Sequence, residues 1–274
     1  MKFMDTFFNS GRKPLIAMVH LPPLPTTPLY DERQSMTDII EQVRADLAIL
    51  LVADFDAYMF CNEGDRPYSF TAGYEGVAAM TTVVSQLAPK DRPFGVDFLW
   101  DSRAALAIAA ATGASFIRGV MTGAYESDMG LWSTDVAGML RERRRLRAEN
   151  VAFFMNVTPE FSSSVGTRSL GAIATSAVMH CLADAILISG PVQGAEPDLK
   201  ALAGVKSTLK ASVPVMANTG AKSTNLPSFL ESADGIIVGT DLKRDGYTWN
   251  KVDAQRVEAF MKAAGRRMRS PVRG

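Results

Sequence analysis

Residues 213–240 read VPVMANTGAKSTNLPSFLESADGIIVGT, which is a short apolar run, an amphipathic stretch and a second short apolar run. The apolar runs, Val213–Ala217 and Gly235–Val238, do not alternate with polar residues. Continuous apolar runs of this length are typical of strands buried on both faces, as in a parallel sheet covered by helices. The stretch between them, Thr224–Glu231, is therefore predicted to be the helix that connects two parallel strands.

The same strand-and-helix unit recurs along the whole chain. Each apolar run is followed by a longer segment whose apolar residues recur at intervals of three and four, as in a helix with one buried face. Eight such units in 274 residues match the size of an α/β TIM barrel, the (β/α)₈ fold. The predicted strands are Leu15–Val19, Ala57–Phe60, Phe94–Leu99, Phe116–Arg118, Val151–Asn156, Ala185–Ile188, Val213–Ala217 and Gly235–Val238. The predicted helices are Ser35–Leu51, Gly76–Leu87, Ser102–Ala111, Thr134–Ala148, Ser169–Leu182, Asp198–Leu209, Thr224–Glu231 and Val252–Ala264.

A doubly wound open sheet is the alternative fold. Against it, no strand-to-helix turn carries a GxGxxG or GxxxxGK[ST] pattern, and no Gly/Ser/Pro-rich linker divides the chain. We therefore predict one barrel domain over residues 1–274, with an N-terminal extension over 1–12 and a basic tail over 266–274.

The composition narrows the class of protein. Lysine plus arginine total 29, as do aspartate plus glutamate, whereas a general nucleic-acid binder carries a basic excess. The two cysteines, Cys61 and Cys181, do not lie in a zinc-ligand pattern. No apolar run has the length of a signal peptide or a membrane span. We expect a cytoplasmic protein with no nucleic-acid partner and no transmembrane segment.

Polar side chains follow almost every predicted strand, and the carboxyl ends of barrel strands form the mouth in which TIM-barrel active sites lie. Buried polar groups cost free energy unless they are paired, so a mouth this polar indicates a function. The candidate catalytic residues lie at the ends of the first four predicted strands or in the loops after them. They are His20, Glu63, Asp97, Arg118 and Asp128.

Asp97 is the leading acid or base because a buried strand end rarely carries an unpaired carboxylate. Arg118 is expected to hold a substrate oxyanion, to pair with Asp97, or both. His20 is expected to be a general base, a metal ligand or a histidine hydrogen-bonded to the proline-rich loop. If a divalent metal binds, His20 and Asp97 are its candidate ligands; the sequence indicates no other cofactor.

The loops after the last two predicted strands have the residue types of an anion site. Asn218-Thr219-Gly220 and Gly239-Thr240 contain glycines that let backbone N–H groups approach an oxyanion. These loops are the frequent phosphate site of TIM barrels, although the glycines could serve only to make tight turns. The full set of predicted phosphate- or substrate-binding residues is Asn62, Ser189, Gly190, Asn218, Thr219, Gly220, Gly239, Thr240 and Lys243.

Two further patterns concern mechanism and partners. No predicted strand contains a lysine, which argues against a Schiff-base mechanism. Basic residues cluster at 141–147 and 266–273; such runs are usually solvated, and a peripheral membrane contact is the functional alternative. We also expect a homo-oligomer with a small phosphorylated ligand.

Several longer motifs are specific enough to suggest a family. They are AMVHLPPLP at 17–25, NEGDRPY at 62–68, AALAIAAATGASFIR at 104–118 and LKRDG at 242–246. Together they cover nearly the whole chain and resemble the BtpA family, which includes SgcQ proteins. The resemblance implies a barrel related to phosphate-binding barrels. It also implies two different functions: a photosystem I biogenesis factor peripheral to the thylakoid membrane, and an enzyme encoded among sugar-utilisation genes.

The chain departs from the usual family pattern where strands face the predicted site. The run at 95–102 is GVDFLWDS, Arg118 is followed by Gly-Val, and Asn218-Thr219-Gly220 replaces a Gly-Ser-Gly pattern. After the fifth predicted strand, Asn156 stands near the usual aspartate, and the Lys-His pair that follows it in relatives is missing. These changes indicate a divergent member in which the substrate differs or the chemistry is lost.

Two classes of function follow from these observations. The first is an isomerase, epimerase or lyase that acts on a small phosphorylated sugar or related phosphate ester. The second is a non-catalytic assembly or regulatory factor, such as one for photosystem I biogenesis; a nucleoside or nucleotide hydrolase is a third option. The polar mouth favours the enzyme.

Overall fold

The computed structural model describes residues 2–268. The basic residues Arg269 and Arg273, predicted to belong to a tail, lie outside the described residues. The strands are β1 (Leu15–His20), β2 (Ala57–Cys61), β3 (Phe94–Asp97), β4 (Phe116–Gly119), β5 (Ala124–Ser127), β6 (Gly130–Ser133), β7 (Ala152–Asn156), β8 (Ser162–Ser164), β9 (Ala185–Ile188), β10 (Val215–Ala217) and β11 (Gly235–Val238). The helices are α1 (Lys2–Phe8), α2 (Met36–Leu51), α3 (Tyr74–Leu87), α4 (Ser102–Thr112), α5 (Val136–Arg145), α6 (Leu170–Met179), α7 (Leu199–Leu209), α8 (Leu226–Ser232) and α9 (Ala254–Ala263).

Eight of the strands form a closed barrel in the order β1-β2-β3-β4-β7-β9-β10-β11. All neighbours are parallel, and β11 closes the barrel on β1 with Leu15 opposite Ile236. The predicted (β/α)₈ fold is therefore confirmed. None of the helices within the described residues is both long and apolar enough to cross a membrane.

Three strands were not predicted. The loops after β4 and β7 form a small antiparallel sheet in the order β6-β5-β8. Its strands have only three or four residues and are rich in serine and glycine, so they lack the apolar runs by which the other strands were identified. Gly130 follows the turn between β5 and β6 with a φ of 101°, a conformation that favours glycine.

Helix α1 gives the N-terminal extension a definite place. The ring of Phe3 stacks on Phe116 at 5.8 Å between centroids, and Phe8 packs on Phe154 at 6.2 Å. Phe116 and Phe154 stack on each other inside the barrel at 4.6 Å. Aromatic rings from β4 and β7 thus fill the lower part of the barrel, and α1 covers them.

The barrel strands alternate between two hydrophobic clusters because successive side chains point to opposite faces. In β1, Ile16 and Met18 belong to the interior cluster, whereas Leu15, Ala17 and Val19 pack beneath the helices. Both clusters are buried. The strands therefore carry apolar side chains on both faces and appear in the sequence as continuous apolar runs. The interior positions become polar only at the carboxyl ends of the strands.

Substitution of a glycine in β3 tests how tightly the aromatic rings in the lower part of the barrel are packed. A Cβ on Gly95 would lie 2.2 Å from Cε2 of Phe116, and that ring is held between Phe3 and Phe154. We expect Gly95→Ala to lower the free energy of unfolding by about 1–3 kcal/mol, measured by urea denaturation.

Gly204→Ala in α7 is the matched control. No atom lies within 4 Å of its added Cβ, and alanine is the better helix former, so we expect a gain of up to about 1 kcal/mol. Equal effects of the two substitutions would contradict the packing described here.

Candidate functional site

The alternation of the barrel strands brings a ring of polar side chains together at the mouth. His20 ends β1, Asp97 ends β3, Arg118 lies in β4 and Asn156 ends β7. Glu63, Ser189 and Asn218 follow β2, β9 and β10, Glu160 lies in the loop after β7, and all four are buried. A cavity of about 40 Å³ opens among them, enough for about three water-sized groups. Its polar lining includes His20, Glu63, Arg118, Glu160, Gln193, Asn218, Thr219, Thr240 and Thr248.

Arg118 is the central cation of this ring. Its Nε donates a hydrogen bond to Oδ2 of Asp97 at 2.6 Å, and Nη2 contacts the same oxygen. Its Nη1 donates to Oδ1 of Asn218 at 3.1 Å. Burial alone would lower the pKa of Arg118, but Asp97 and the neighbouring acidic groups raise it above its usual value. Arg118 therefore stays charged and pairs with Asp97, as one of the sequence-based alternatives proposed.

Glu63 carries the carboxylate that is best placed for proton transfer. Its Oε1 accepts hydrogen bonds from Nε2 of Gln193 at 2.8 Å and from the hydroxyl of Tyr68 at 3.1 Å. Its Oε2 lies 3.7 Å from Nε2 of His20. Burial raises the pKa of Glu63, whereas the charge of Arg118 and the Tyr68 hydrogen bond oppose the rise. A carboxyl with a raised pKa is suited to general acid–base chemistry near neutral pH.

His20 lies in the cavity as a neutral imidazole. Burial lowers its pKa well below the usual value, and the charges of Lys243 and Arg118 lower it further. A Cβ on Gly239 would lie 2.9 Å from Cε1 of His20, so glycine at this position leaves room for the ring. A neutral imidazole can donate or accept a hydrogen bond without adding charge to the site.

Glu160 adds a third buried carboxyl to the ring. Asn156 donates from Nδ2 to Oε2 of Glu160 at 3.1 Å and to Oγ of Ser189 at 3.0 Å. Asn218 donates to the same serine oxygen at 2.8 Å. Burial raises the pKa of Glu160, as it does for Asp97 and Glu63. Three carboxyls around one guanidinium favour retention of a proton, because like charges at short range oppose ionisation.

Residues of the loops after β10 and β11 also line the cavity. Gly220 and Ala221 after β10, and Gly239 and Thr240 after β11, all line the cavity. Their N–H groups donate no hydrogen bond to any residue in the range 2–268. Gly220 has a φ of 73°, and a Cβ there would lie 2.3 Å from the carbonyl oxygen of Ala195. Both the conformation and the close approach of the loop after β9 require glycine at 220.

Some predicted ligands are engaged elsewhere. The ammonium of Lys243 is 3% exposed and lies 3.0 Å from Oδ2 of Asp46 in α2, outside the cavity lining. Gly190 donates its N–H to Oγ1 of Thr219 at 2.7 Å, and Thr219 donates to the carbonyl of Ala195. Gly190, Thr219 and Ser189 therefore connect the loop after β9 to the loop after β10.

Asn62 and Asp128 also lie away from the cavity lining. Asn62 accepts from the Leu99 N–H at 2.7 Å and donates to Asp65 at 2.9 Å, so it joins the loops after β2 and β3. Asp128 is exposed in the turn between β5 and β6. Asp101, the residue before α4, caps that helix by accepting from the N–H groups of Arg103 and Ala104.

The proposed metal ligands are not arranged as a metal centre. His20 faces Glu63, while the carboxylate of Asp97 accepts from Arg118. Among residues 2–268, no group of three or more His, Cys, Asp or Glu side chains is placed to hold a metal ion.

Tyr68, Gln193 and Glu160 are the site residues that sequence reasoning did not select. Gln193 is 130 positions from its partner Glu63, and no local pattern predicts that contact. Glu160 follows a barrel strand as the chosen candidates do, and only its burial at 5% exposure distinguishes it from a loop carboxylate on the surface.

Replacement of Lys243 tests whether its side chain stabilises the fold or binds a phosphate ligand. Lys243→Met would leave Asp46 buried with only the Val252 N–H as a partner, at 3.0 Å. We expect a loss of about 3–5 kcal/mol in the free energy of unfolding, with unchanged affinity for inorganic phosphate by calorimetry. The double variant Asp46→Leu/Lys243→Met should regain part of the stability. A stable Lys243→Met variant that no longer binds phosphate would contradict this assignment.

Comparison with solved structures confirms the barrel. The chain superimposes on "Native KDPGal structure" with a TM-score of 0.54 and 16% identity, covering 92% of this chain and 94% of the other. It superimposes on a thiamine phosphate pyrophosphorylase from Pyrococcus furiosus with a TM-score of 0.51 and 15% identity, covering 92% and 96%. At these identities the likeness concerns the fold alone.

Sequence comparison identifies much nearer relatives. The chain is 40% identical to the sgc region protein SgcQ of Escherichia coli over 250 residues, or 91% of this chain and 93% of that protein. It is 33% identical to the photosystem I biogenesis protein BtpA of a Synechocystis species over 272 residues, covering 97% and 93%. The family model described as the BtpA family matches residues 11–266. The motifs at the mouth and the match over nearly the whole barrel agree, and the chain belongs to the BtpA family.

Proposed function

We propose that this protein is an enzyme that binds a small phosphorylated sugar or a related phosphate ester and moves a proton on a carbon next to a carbonyl. One observation carries the proposal. Gly220, Ala221, Gly239 and Thr240, from the loops after β10 and β11, have no hydrogen-bond partner for their backbone N–H groups and line the same cavity as Glu63 and Arg118. This arrangement supports an anion site beside an acid–base pair.

These backbone N–H groups suit a phosphate group. Converging backbone donors bind oxyanions without a positively charged side chain, and Gly220, Ala221, Gly239 and Thr240 supply such donors. The cavity of about 40 Å³ is of a size for a phosphate rather than for a whole sugar phosphate. The rest of the substrate would extend toward Glu63 and Arg118.

The acid–base pair suits proton transfer next to a carbonyl. In the proposed reaction, the Glu63 carboxylate removes a proton from the carbon beside the carbonyl, and the electron pair of that C–H bond moves to form an enolate. Arg118 and the neutral His20 then stabilise the oxyanion. If the proton of the neighbouring hydroxyl moves to the former carbonyl oxygen, return of the carbon-bound proton from Glu63 to the former carbonyl carbon gives isomerisation. Epimerisation instead requires a second acid, such as a water molecule, to deliver a proton to the opposite face of the original carbon while Glu63 keeps the first. Among residues 2–268, no lysine lines the cavity, so a Schiff base has no nucleophile there.

The comparison with relatives points to a second candidate function. The BtpA relative is named for photosystem I biogenesis, which favours a non-catalytic assembly factor as the second candidate function. An assembly factor has no requirement for free phosphate or for an ionisable Glu63, so the following experiments distinguish the two.

A charge placed at Thr240 tests the phosphate site. Thr240 lines the cavity and its side chain contacts Thr248 at 2.8 Å. Thr240→Asp would place a carboxylate beside the bound phosphate, and Thr240→Asn has the same shape without the charge. We expect inorganic phosphate to raise the melting temperature of the wild type and of Thr240→Asn. The affinity of Thr240→Asp should be at least about tenfold weaker. Equal phosphate affinities of the two variants would place the anion elsewhere, and no stabilisation of the wild type would reject the site.

The titration of Glu63 tests the acid–base assignment without a known substrate. The hydrogen bond from Tyr68 lowers the pKa of Glu63, because it stabilises the charged carboxylate. Tyr68→Phe should therefore move the Glu63 titration to higher pH, measured from its carboxyl band by infrared difference spectroscopy against Glu63→Gln. Tyr247→Phe, in an exposed mouth residue, is the control and should leave the titration unchanged. A shift to lower pH in Tyr68→Phe would contradict the geometry.

A further inference from the structure

Arg66, in the loop after β2, places its charged guanidinium at the mouth of the barrel without an anionic partner. Its guanidinium lies over the ring of Trp249, with Cζ 3.5 Å from the ring centroid. Its Nε is buried and has no hydrogen-bond partner. In the described part of the chain, no carboxylate forms an ion pair with it, and no acceptor takes a hydrogen bond from its guanidinium.

The other enclosed arginines among residues 2–268 do have anionic partners. Arg118 pairs with Asp97, and Arg266 pairs with Asp56. A partly enclosed cation without such a partner loses hydration and gains little in return, apart from the attraction of the aromatic face. The planar guanidinium of Arg66 therefore retains N–H donors for a carboxylate or phosphate.

Trp249, whose ring lies beneath Arg66, is hydrogen-bonded to a residue of the proposed active site. Nε1 of Trp249 donates a hydrogen bond to the backbone carbonyl of Glu63 at 3.0 Å. The ring of Tyr247 packs edge-on against Trp249 at 5.1 Å. Thr248, between these two aromatic residues, lines the cavity. Arg66 is thus held in one orientation beside the mouth, which reduces the entropy that binding an anion would cost.

We propose that Arg66 binds a second anionic group of the substrate, so that the enzyme takes small compounds that carry a phosphate and a further carboxylate or phosphate. This inference rests on the proposed function, in which the first phosphate binds at the loops after β10 and β11. Arg66 then recognises the far end of the molecule and favours substrates with two anionic groups over those with a single phosphate.

Arg168 is the competing position for a second anion. It is exposed and lines a separate cavity of about 300 Å³ with Tyr125, Thr158 and Ser164. Its side chain also has no ion pair within residues 2–268. In the described part of the chain, no cation–π contact holds Arg168 in place, so the geometry favours Arg66, and Arg168 provides a matched control.

The test compares ligands that differ in one anionic group. The dissociation constants of glycerol 3-phosphate against 3-phosphoglycerate, and of fructose 6-phosphate against fructose 1,6-bisphosphate, are measured by calorimetry. In the wild type we expect the member with two anionic groups, in at least one pair, to bind about tenfold to a hundredfold more tightly. Arg66→Met should remove that preference and leave the affinity for the member with a single phosphate unchanged. Arg66→Lys should keep only part of it, and Arg168→Met all of it.

The outcomes separate this inference from the proposed function. If the wild type binds none of the four compounds, the proposed phosphate site fails and this inference with it. If it binds them without preference, or if Arg168→Met and not Arg66→Met removes the preference, the role of Arg66 is overturned while the phosphate site stands. Melting temperatures of the arginine variants establish that each is folded, and Arg66→Lys provides the comparison if Arg66→Met is not.

Discussion

A fully buried guanidinium inside the barrel is the constraint on which the site depends. Arg118 points inward from β4, where the interior is otherwise apolar below it, and a charge in that position requires anionic partners. Asp97 on β3 supplies the nearest carboxylate, and Asn218 after β10 orients the remaining face of the guanidinium. Asp97 and Asn218 lie 21 and 100 positions from Arg118 along the chain. Only the closed barrel brings them together.

The chemistry of the mouth follows from the same burial. Glu63 and Glu160 share the cavity with Arg118, and their raised pKa values reflect removal from water more than contact with each other. Asp97 accepts from Arg118 and lies outside the cavity lining, which is why we propose Glu63 for proton transfer and assign Asp97 the role of holding the cation. In the proposed reaction the anion is received by backbone donors of the loops after β10 and β11, where no buried side-chain charge is needed. One cavity would then hold both an acid–base carboxyl and an anion-binding site.

The barrel was predictable from the sequence because strands buried on both faces appear as continuous apolar runs, and eight of them recur with helices between. The positions of His20, Asp97, Arg118 and Asn218 at or just after the ends of predicted strands also predicted that they would meet at the mouth. The sequence could not indicate which polar residues bond to each other. Lys243 looked like a phosphate ligand because it follows β11, yet its partner Asp46 lies 197 positions away in α2. The β5–β6–β8 sheet was missed because its short Ser- and Gly-rich strands carry no apolar run.

The proton step can be measured directly by ¹H NMR in D₂O, with a panel of aldose and ketose phosphates that bind the protein. If Glu63 removes a proton next to the carbonyl, the wild type will exchange that hydrogen for deuterium in at least one compound. Glu63→Gln will bind the same compound and exchange it at least about a hundredfold more slowly. Phosphate esters that bind at the mouth but exchange no hydrogen, or exchange equally fast with Glu63→Gln, would contradict the proposal that this barrel is an acid–base enzyme.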